Sequence, residues 1–342
     1  MIAQQEIINK FFLFTSERGY DRKERSNLIS PYFENEFNLS AGHQYVLPIL
    51  CNYEKEELIK IAINESCIRR IDLEKLGTSA HHLLMFEMGV MGLFGYIDNL
   101  KKTLSTIIQD MLDIIVFFGF DLNNIYFSVS DGAIVLHKHY PADILSYEVL
   151  IEKGIKESHL IKTKGRQNFI FSNGIGRPAG NSIEIFCKKN NTYTEIASVN
   201  VYKYLFAGGT LNTMTNQAIG GGFGFDRITY LLNGRTTIFD IPPFSTFATE
   251  IKPLFRNEME FQLNKDRLYR IIELIKVLLF IKNDGPPPSS SPHEKIMKGF
   301  LNKLKSEIGY LELNEKEILN IGAKIIREHY LLRYNLDKHC GL

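Results

Sequence analysis

The run Ile219–Arg227, which reads Ile-Gly-Gly-Gly-Phe-Gly-Phe-Asp-Arg, has residue types suited to holding a flat ligand close to the backbone. Four of its nine residues are glycine, which costs backbone entropy wherever it is not needed. The run lacks the Gly-x-Gly-x-x-Gly spacing of dinucleotide-binding folds and the Gly-Lys-Ser/Thr ending of a phosphate-binding loop. An adenine lying against a glycine strand, with the Arg227 guanidinium over its other face, fits the run better.

A second group of residues that could do chemistry lies upstream, between Cys67 and Met88. The apolar ends and charged middle of this segment predict strand, loop and strand. We expect Arg69 on the first strand and His82 and Phe86 on one face of the second, because strand residues four apart point the same way. Arginine binds phosphate with a planar fork, and an aromatic ring can stack on a base. Taken alone, the segment more simply predicts a surface turn at His82 and a core ring at Phe86.

Two carboxylates and a hydroxyl could hold a magnesium ion. Glu184 lies on a predicted strand over 182–188, and Glu195 and Ser198 lie on the next, over 193–206. Mg²⁺ prefers a few hard oxygen ligands and keeps several of its waters. Glu195 and Ser198 are three residues apart, so they share a face only if a bulge interrupts the strand. Composition alone favours a solvated sheet edge for these residues.

Together, these segments resemble motifs 2 and 3 of the class II aminoacyl-tRNA synthetases. More narrowly, residues 67–77 and 78–88 are similar to the catalytic domain of the alanyl-tRNA synthetase family, with the archaeal type of spacing between the two halves. Residues 179–184 and 195–198 resemble two further strands of that domain. The Asp284-Gly285-Pro286 turn resembles the entry to its tRNA-recognition helices. The resemblance covers most of residues 1–300.

The resemblance implies ATP and Mg²⁺ as cofactors and assigns two catalytic arginines. Arg69 would hold the α-phosphate, and Arg227 would cover the adenine or the γ-phosphate. The other ATP contacts that it implies are His82 to the β- and γ-phosphates, Phe86 stacked on adenine, and Gly222 and Gly224 under the adenosine. The implied metal ligands are Glu195 with Ser198 or Glu184, and the implied substrate-binding residues are Met85, Phe171, Gly220 and Asn200.

The sequence departs from the family pattern at two places. The family's glycine strand opens with an aspartate that binds the α-ammonium of alanine, and Gly220 stands there instead. The loss of that carboxylate removes a charge-assisted hydrogen bond to the substrate nitrogen. The predicted helix His293–Lys305 carries four lysines and no arginine where the family has an arginine-rich helix, so tRNA binding is expected to be weak.

These features lead to one preferred function and two alternatives. The preferred function is ATP-dependent activation of an amino acid or small carboxylic acid to an acyl-adenylate, with release of pyrophosphate. The acyl group would then pass to a non-tRNA acceptor, either a small molecule or a carrier protein. The first alternative is a truncated aminoacyl-tRNA ligase of the alanyl-tRNA synthetase kind. The second is a catalytically silent regulatory paralogue.

The pattern of expected strands and helices that must position these residues predicts an α+β fold. We expect a class II synthetase-like antiparallel sheet with flanking helices over 1–250, followed by a helical domain over 251–342 that is a remnant of the tRNA-recognition helices. Apolar spacing predicts helices over 3–19 and 99–118 and a short helix over 55–63. A hairpin is predicted to join 124–129 and 133–137, with turn-forming Gly174 and Gly176 further along.

Charge and cysteine content bound the classes of function. The 342 residues include 40 Lys and Arg against 39 Asp and Glu, which gives no electrostatic case for a dedicated nucleic-acid binder. Cys51, Cys67, Cys187 and Cys340 are scattered, as expected of reduced thiols in a cytoplasmic protein rather than of a disulfide framework. The apolar stretch Ile271–Ile281 is too short to cross a membrane. A homodimer is compatible with the family resemblance.

Overall fold

The computed structural model describes residues 1–29, 36–37, 43–171, 177–330, 333–334 and 336. The predicted turn residues Gly174 and Gly176, and the thiol of Cys340, lie outside the described residues.

A sheet of nine strands forms the centre of the part of the chain that the structure describes. The strands of the molecule are β1 (Asp21–Lys23), β2 (Ile59–Ile68), β3 (Met85–Gly95), β4 (Ile125–Ser130), β5 (Ala133–Val135), β6 (Lys138–Tyr140), β7 (Leu160–Thr163), β8 (Phe169–Ile170), β9 (Pro178–Lys189), β10 (Thr192–Ala207) and β11 (Thr210–Gly224). Their order in the central sheet is β1-β2-β3-β11-β10-β9-β4-β7, with β8 also paired to β9. The pairs are antiparallel except for β1–β2 and β4–β7 at the two edges. Strands β5 and β6 pair with each other.

Helices flank this sheet and then fill the C-terminal part of the chain. They are α1 (Gln4–Glu17), α2 (His43–Leu50), α3 (Leu100–Phe118), α4 (Ile144–Glu152), α5 (Phe225–Leu232), α6 (Phe244–Ile251), α7 (Glu258–Leu263), α8 (Lys265–Asn283), α9 (Pro292–Gly309) and α10 (Glu315–Tyr330). The predicted α+β class, with an antiparallel central sheet and C-terminal helices, is confirmed. Among the described helices, none has both the length and the apolar character needed to cross a bilayer.

Local sequence signals account for some of these boundaries and fail at others. The predicted helix over 99–118 is confirmed as α3, where the Asn99 side chain accepts from the Lys102 N–H at 3.0 Å and Gly119 ends the helix at φ +112°. The predicted helix over 55–63 is wrong, because β2 begins at Ile59 and β-branched residues favour strands. The predicted hairpin is also wrong, since β4 pairs with β7 and β9 while β5 turns into β6.

The two faces of the glycine strand β11 have different surroundings. A Cβ at Gly221 would lie 2.1 Å from the Met111 Sδ on α3, so this face packs directly on a helix. The Phe223 ring, on the same face, meets the Phe11 ring of α1 at 6.0 Å between centroids. Gly220, Gly222 and Gly224 alternate with these residues and therefore point to the opposite face. That opposite face carries the site described below.

Helix α8 fixes the position at which β3 begins. The Glu273 Oε2 accepts from the backbone N–H groups of Leu84 at 2.9 Å and Met85 at 3.0 Å. Lys276 Nζ donates to the Met85 carbonyl at 2.6 Å, and both charged side chains are fully buried. The helices after residue 250 therefore hold the central sheet directly. The division at residues 250 and 251, which falls at the end of α6, stays a prediction.

Candidate active site

A cleft of about 590 Å³, partly open to solvent, lies where β2, β3, β10, β11 and α5 meet. The cleft is lined by eight residues that the sequence analysis selects, although these come from segments more than 100 residues apart. They are Arg69, His82, Phe86, Glu195, Ser198, Gly222, Gly224 and Arg227.

Arg69 and Phe86 form one wall of the cleft. Arg69 directly follows β2, and its backbone N–H donates to the Leu84 carbonyl at 2.8 Å, which continues the β2–β3 pairing by one residue. Its guanidinium lies 5.0 Å from the centroid of the Phe86 ring and 3.9 Å from the nearest carboxylate oxygen of Asp72. The Arg69 side chain remains 42% exposed. A cation and an aromatic face are therefore both available to a ligand at this wall.

His82 reaches the cleft from a loop, which corrects the prediction that it shares a strand with Phe86. Strand β3 begins only at Met85, because the backbone before it turns to bond with Glu273. The His82 Nδ1 is hydrogen-bonded to the Ser79 hydroxyl at 2.5 Å, and its ring lies 4.7 Å from the His81 ring. Burial lowers the pKa of His82. Burial, with repulsion from Arg227 and His82, lowers the pKa of His81 to about 4, so His81 is neutral at pH 7.

A β-bulge brings Glu195 and Ser198 to the same side of β10. The pairing with β9 sets Glu195 opposite Phe186 and Ala197 opposite Ile185, so Ile196 is an extra residue on β10. An extra residue reverses the alternation of side chains beyond it. Both Glu195 and Ser198 consequently line the cleft. This is the irregularity that a joint site for the two residues requires.

Charge in the cleft is organised around Glu195. Arg227 Nη1 donates to the Glu195 Oε2 at 2.9 Å and to its backbone carbonyl at 3.1 Å. Burial opposes ionisation of Glu195, but the attraction of Arg227 outweighs it and holds the pKa of that carboxyl below its usual value. Burial and repulsion from Glu195 raise the pKa of Glu184 to about 8, and the Ser182 hydroxyl donates to the Glu184 carboxyl. One carboxyl of the pair is therefore ionised at pH 7 and the other is protonated.

This donor set fits a magnesium ion. Glu184 lies opposite Ser198 in the β9–β10 register, and the Glu184 and Glu195 carboxyls are hydrogen-bonded to each other. Two adjacent carboxyls and a hydroxyl offer the hard oxygens that Mg²⁺ prefers, and a cation between them would replace the proton that they share. Within the described ranges, no three His, Cys, Asp or Glu side chains cluster as metal ligands, so a bound ion would also depend on water and substrate oxygens.

The glycines form the floor of the cleft. A Cβ at Gly222 would lie 2.8 Å from the Met88 Cε, so the side chain of β3 already covers this position. At Gly224 the nearest atoms belong to the Arg227 side chain, at 3.7 Å or more. A flat ligand can therefore approach the β11 backbone next to Arg227, as the glycine pattern predicts.

The four predicted substrate-binding residues do not line this cleft. Met85 is buried with its carbonyl bound to Lys276. Phe171 packs on Phe206 at 5.6 Å between ring centroids, in a different cluster. Asn200 and Gly220 are paired with each other across β10 and β11, two residues beyond Ser198 and Gly222 on the same face. Glu184, predicted as a metal ligand, flanks the cleft through its contact with Glu195.

Several lining residues are absent from the sequence predictions. Met88 could have been found, because it lies two residues after Phe86 on β3 and must share its face. Asp72 and His81 stand inside the segment already chosen, where composition alone suggests exposed loop residues. Asp226 is buried, and its Oδ2 accepts from the Glu87 backbone N–H at 3.2 Å. That contact ties α5 to β3, and no local pattern in the sequence indicates it.

Comparison with known proteins supports the same architecture. Residues 6–332 match the family model for tRNA synthetases class II (A). The alanine–tRNA ligase of Malacoplasma penetrans is 23% identical over 354 residues, which cover 93% of this chain and 36% of that protein. The alanine–tRNA ligase of Listeria welshimeri is 23% identical over 353 residues, which cover 96% of this chain and 38% of that protein. The chain thus spans less than two fifths of the length of these relatives.

Two solved synthetases give weaker similarities. The apo histidyl-tRNA synthetase of S. aureus is 13% identical, with a TM-score of 0.43 over 66% of this chain and 64% of that one. The pyrrolysyl-tRNA synthetase PylSc of Desulfitobacterium hafniense is 14% identical, with a TM-score of 0.40 over 70% of this chain and 72% of that one.

Proposed function

The chain belongs to the class II tRNA synthetases, and on that premise we propose that it activates an amino acid or small carboxylic acid with ATP. The product would be an acyl-adenylate, with pyrophosphate released. The single observation that carries this proposal is the cleft, where two arginines, an aromatic ring, a glycine floor and the carboxyl of Glu195, paired with that of Glu184, lie together. Each of these groups matches a part of ATP: phosphate, base, ribose and metal-bound oxygens, respectively.

The reaction needs positioning and charge stabilisation more than proton transfer. An oxygen of the substrate carboxylate attacks the α-phosphorus, a new P–O bond forms, and the bond between the α-phosphorus and the bridging oxygen to the β-phosphorus breaks. The electron pair leaves with pyrophosphate. A carboxylate is already a nucleophile at pH 7, so no general base is required. Arg69 and Arg227 would stabilise the charge that develops on the phosphates.

A magnesium ion would neutralise phosphate charge, held by Glu195 with Ser198 or Glu184. Arg227 is paired with Glu195, so phosphate binding would draw on a guanidinium that already has a partner. His82 would add a neutral imidazole to the β- and γ-phosphates, since burial lowers its pKa. Phe86 would stack on adenine, and its ring already accommodates the Arg69 guanidinium on one face.

For the acceptor we now place tRNA first. The relatives named above are alanine–tRNA ligases, which supports an aminoacyl-tRNA ligase of that kind more than the non-tRNA acceptor preferred from the sequence. Nothing in the comparisons supports a carrier protein or a small-molecule acceptor.

Cys51, Cys67 and Cys187 are free thiols, as expected of a protein working in the reducing cytoplasm.

ATP–pyrophosphate exchange in the presence of alanine and a panel of other small acids tests the activation step. Arg69→Met should lower the exchange rate by about 100-fold or more, because one preorganised donor to a developing charge is lost. Arg70→Met is the matched control, since Arg70 is the adjacent, exposed arginine outside the cleft, and it should retain exchange. Equal rates in both variants would show that the ATP site is misplaced. Exchange absent with every acid, while ATP still binds, would favour a silent regulatory paralogue.

The acceptor requires a separate measurement. Formation of aminoacyl-tRNA with alanine tRNA, at physiological salt, supports tRNA. Turnover of the adenylate by small amines or by a carrier protein, with no transfer to tRNA, would restore the acceptor first expected from the sequence.

A further inference from the structure

A row of glycine and small polar residues crosses the sheet just beyond the cleft. Asn200 on β10 lies opposite Ser182 on β9 and Gly220 on β11, and Gly220 lies opposite Gly92 on β3. These residues share a face with Ser198 and Gly222, because strand residues two apart point the same way. Two strand residues span on the order of 7 Å, a distance that one small acid can bridge from its carboxylate outward.

The Asn200 side chain is the polar group of this row that lacks a complete set of partners. Its amide donates to the Tyr202 hydroxyl and thereby opposes the rise that burial causes in the pKa of that tyrosine. Its Oδ1 is buried and has no hydrogen-bond partner among the described residues. Buried acceptors in folded proteins are nearly always paired. An acceptor left without a partner beside a ligand cleft points to a donor on the ligand.

The glycines beside Asn200 make room for an aromatic ring. A Cβ at Gly92 would lie 2.7 Å from the Phe94 Cζ, and one at Gly220 would lie 3.5 Å from the same atom. The Phe94 ring therefore covers the β3 side of the row, and it is buried. At Gly220 itself a Cβ would also stand 3.2 Å from the Met91 carbonyl oxygen. The row thus offers an amide oxygen on one side, an apolar ring on the other and no carboxylate at position 220.

We propose that the Asn200 amide oxygen accepts a hydrogen bond from the donor on the α-carbon of the activated acid. This deepens the proposed function and rests on it. The donor is an α-ammonium or an α-hydroxyl group, and the neutral amide takes the place of the aspartate that the family resemblance leads one to expect at position 220. A neutral acceptor distinguishes little between these two donors. It does select against an acid with no α-donor, because the amide oxygen would then stay buried and unpaired.

Alanine, lactate and propionate are matched probes, since they differ only in the α-substituent. In ATP–pyrophosphate exchange we expect the kcat/KM values of alanine and lactate to agree within about tenfold, and that of propionate to fall at least about tenfold lower. Asn200→Leu, which keeps the size and removes the acceptor, should bring all three acids to the level of propionate. Asn200→Asp should raise alanine over lactate by about tenfold or more, since an ammonium gains a charged partner.

Asn212→Leu is the control, because Asn212 is an exposed residue at the other end of β11, and it should leave the three ratios unchanged. Unchanged ratios in Asn200→Leu would overturn the proposal. Loss of activity with both alanine and lactate in Asn200→Asp would also overturn it, since the amide N–H would then be the recognising group.

Calorimetric titration of the same acids, with a non-hydrolysable ATP analogue present, measures acid binding separately from adenylate formation. Binding that discriminates as described, without exchange, would refute the proposed reaction and retain the role of Asn200, whereas no binding of any of the three acids would overturn that role.

Discussion

The buried ion pair between Glu87 and Arg333 tests how the C-terminal segment supports the site. Their side chains are 2% and 5% exposed, and Arg333 Nη2 lies 3.0 Å from the Glu87 Oε2. The Glu87 Oε1 also accepts from Arg333 Nε at 3.1 Å, from the Tyr334 hydroxyl at 2.8 Å and from Asn64 Nδ2 at 3.0 Å. Glu87 therefore satisfies three donors at once, and Arg333 is only one of them.

The size of the effect follows from what each substitution leaves behind. Arg333→Met leaves a buried carboxylate with two neutral donors. Glu87→Met leaves a buried guanidinium with only the neutral Gln5 Oε1 as a partner, at 3.3 Å, and it removes the acceptor of the Tyr334 hydroxyl. Breaking a buried pair by removing one partner costs about 3–5 kcal/mol. We expect Glu87→Met to cost at least as much as Arg333→Met. The double variant should cost no more than Glu87→Met alone, because it removes the buried guanidinium that Glu87→Met leaves without a charged partner.

Urea-induced unfolding of the wild type, both single variants and the double variant gives the coupling free energy between the two residues. It should be at least about 2 kcal/mol. Lys324→Met, an exposed substitution on α10, should change stability by less than about 0.5 kcal/mol. Free energies of unfolding that simply add in the double variant would refute the reasoning. Because the Glu87 backbone N–H binds Asp226 next to Arg227, we also expect Arg333→Met to raise the KM for ATP.

Two further predictions concern the cleft. Gly221→Ala should destabilise the fold by about 1–3 kcal/mol, because its Cβ would collide with Met111. Gly222→Ala should mainly weaken ATP binding, since it displaces only the flexible end of Met88, which lines the cleft. Thermal unfolding and nucleotide titration separate the two effects, and equal effects in both variants would contradict the assignment of the strand faces. Partial burial and nearby positive charge lower the pKa of His81 from 6.5 to about 4, so the unfolded chain binds more protons between these values and the free energy of unfolding rises with pH through that window. His81→Gln should flatten the rise, and an identical pH dependence in the variant would argue against a half-buried neutral His81.

The family resemblance of short motifs points to most of the residues that line the cleft, whereas residue type and spacing alone favour a surface turn at His82 and a solvated sheet edge at Glu195 and Ser198. The glycine alternation of β11, the arginine after β2 and the aromatic ring on β3 each follow from a short segment. Even the bulge at Ile196 follows from asking how Glu195 and Ser198 could share a face. The contacts that the sequence does not reveal are those between distant segments. Phe171, predicted to bind substrate, lies in another cluster, because a local pattern cannot indicate which end of a long strand pair faces the ligand.

Because a local pattern does not reveal contacts between distant segments, the C-terminal helices look like a separate domain in the sequence, whereas in the structure they contact the strand that lines the site. Glu273 and Lys276 bind the backbone where the His82 loop enters β3, and Arg333 binds the carboxyl of Glu87 one residue after Phe86. These contacts span about 190 to 250 residues of chain, so no window of sequence contains both partners. Buried charges are costly unless they are paired, and here the pairing partners of β3 come from the C-terminal helices and the segment that follows them. The wall that would hold ATP therefore depends on residues beyond position 250 as much as on the motifs that identify it.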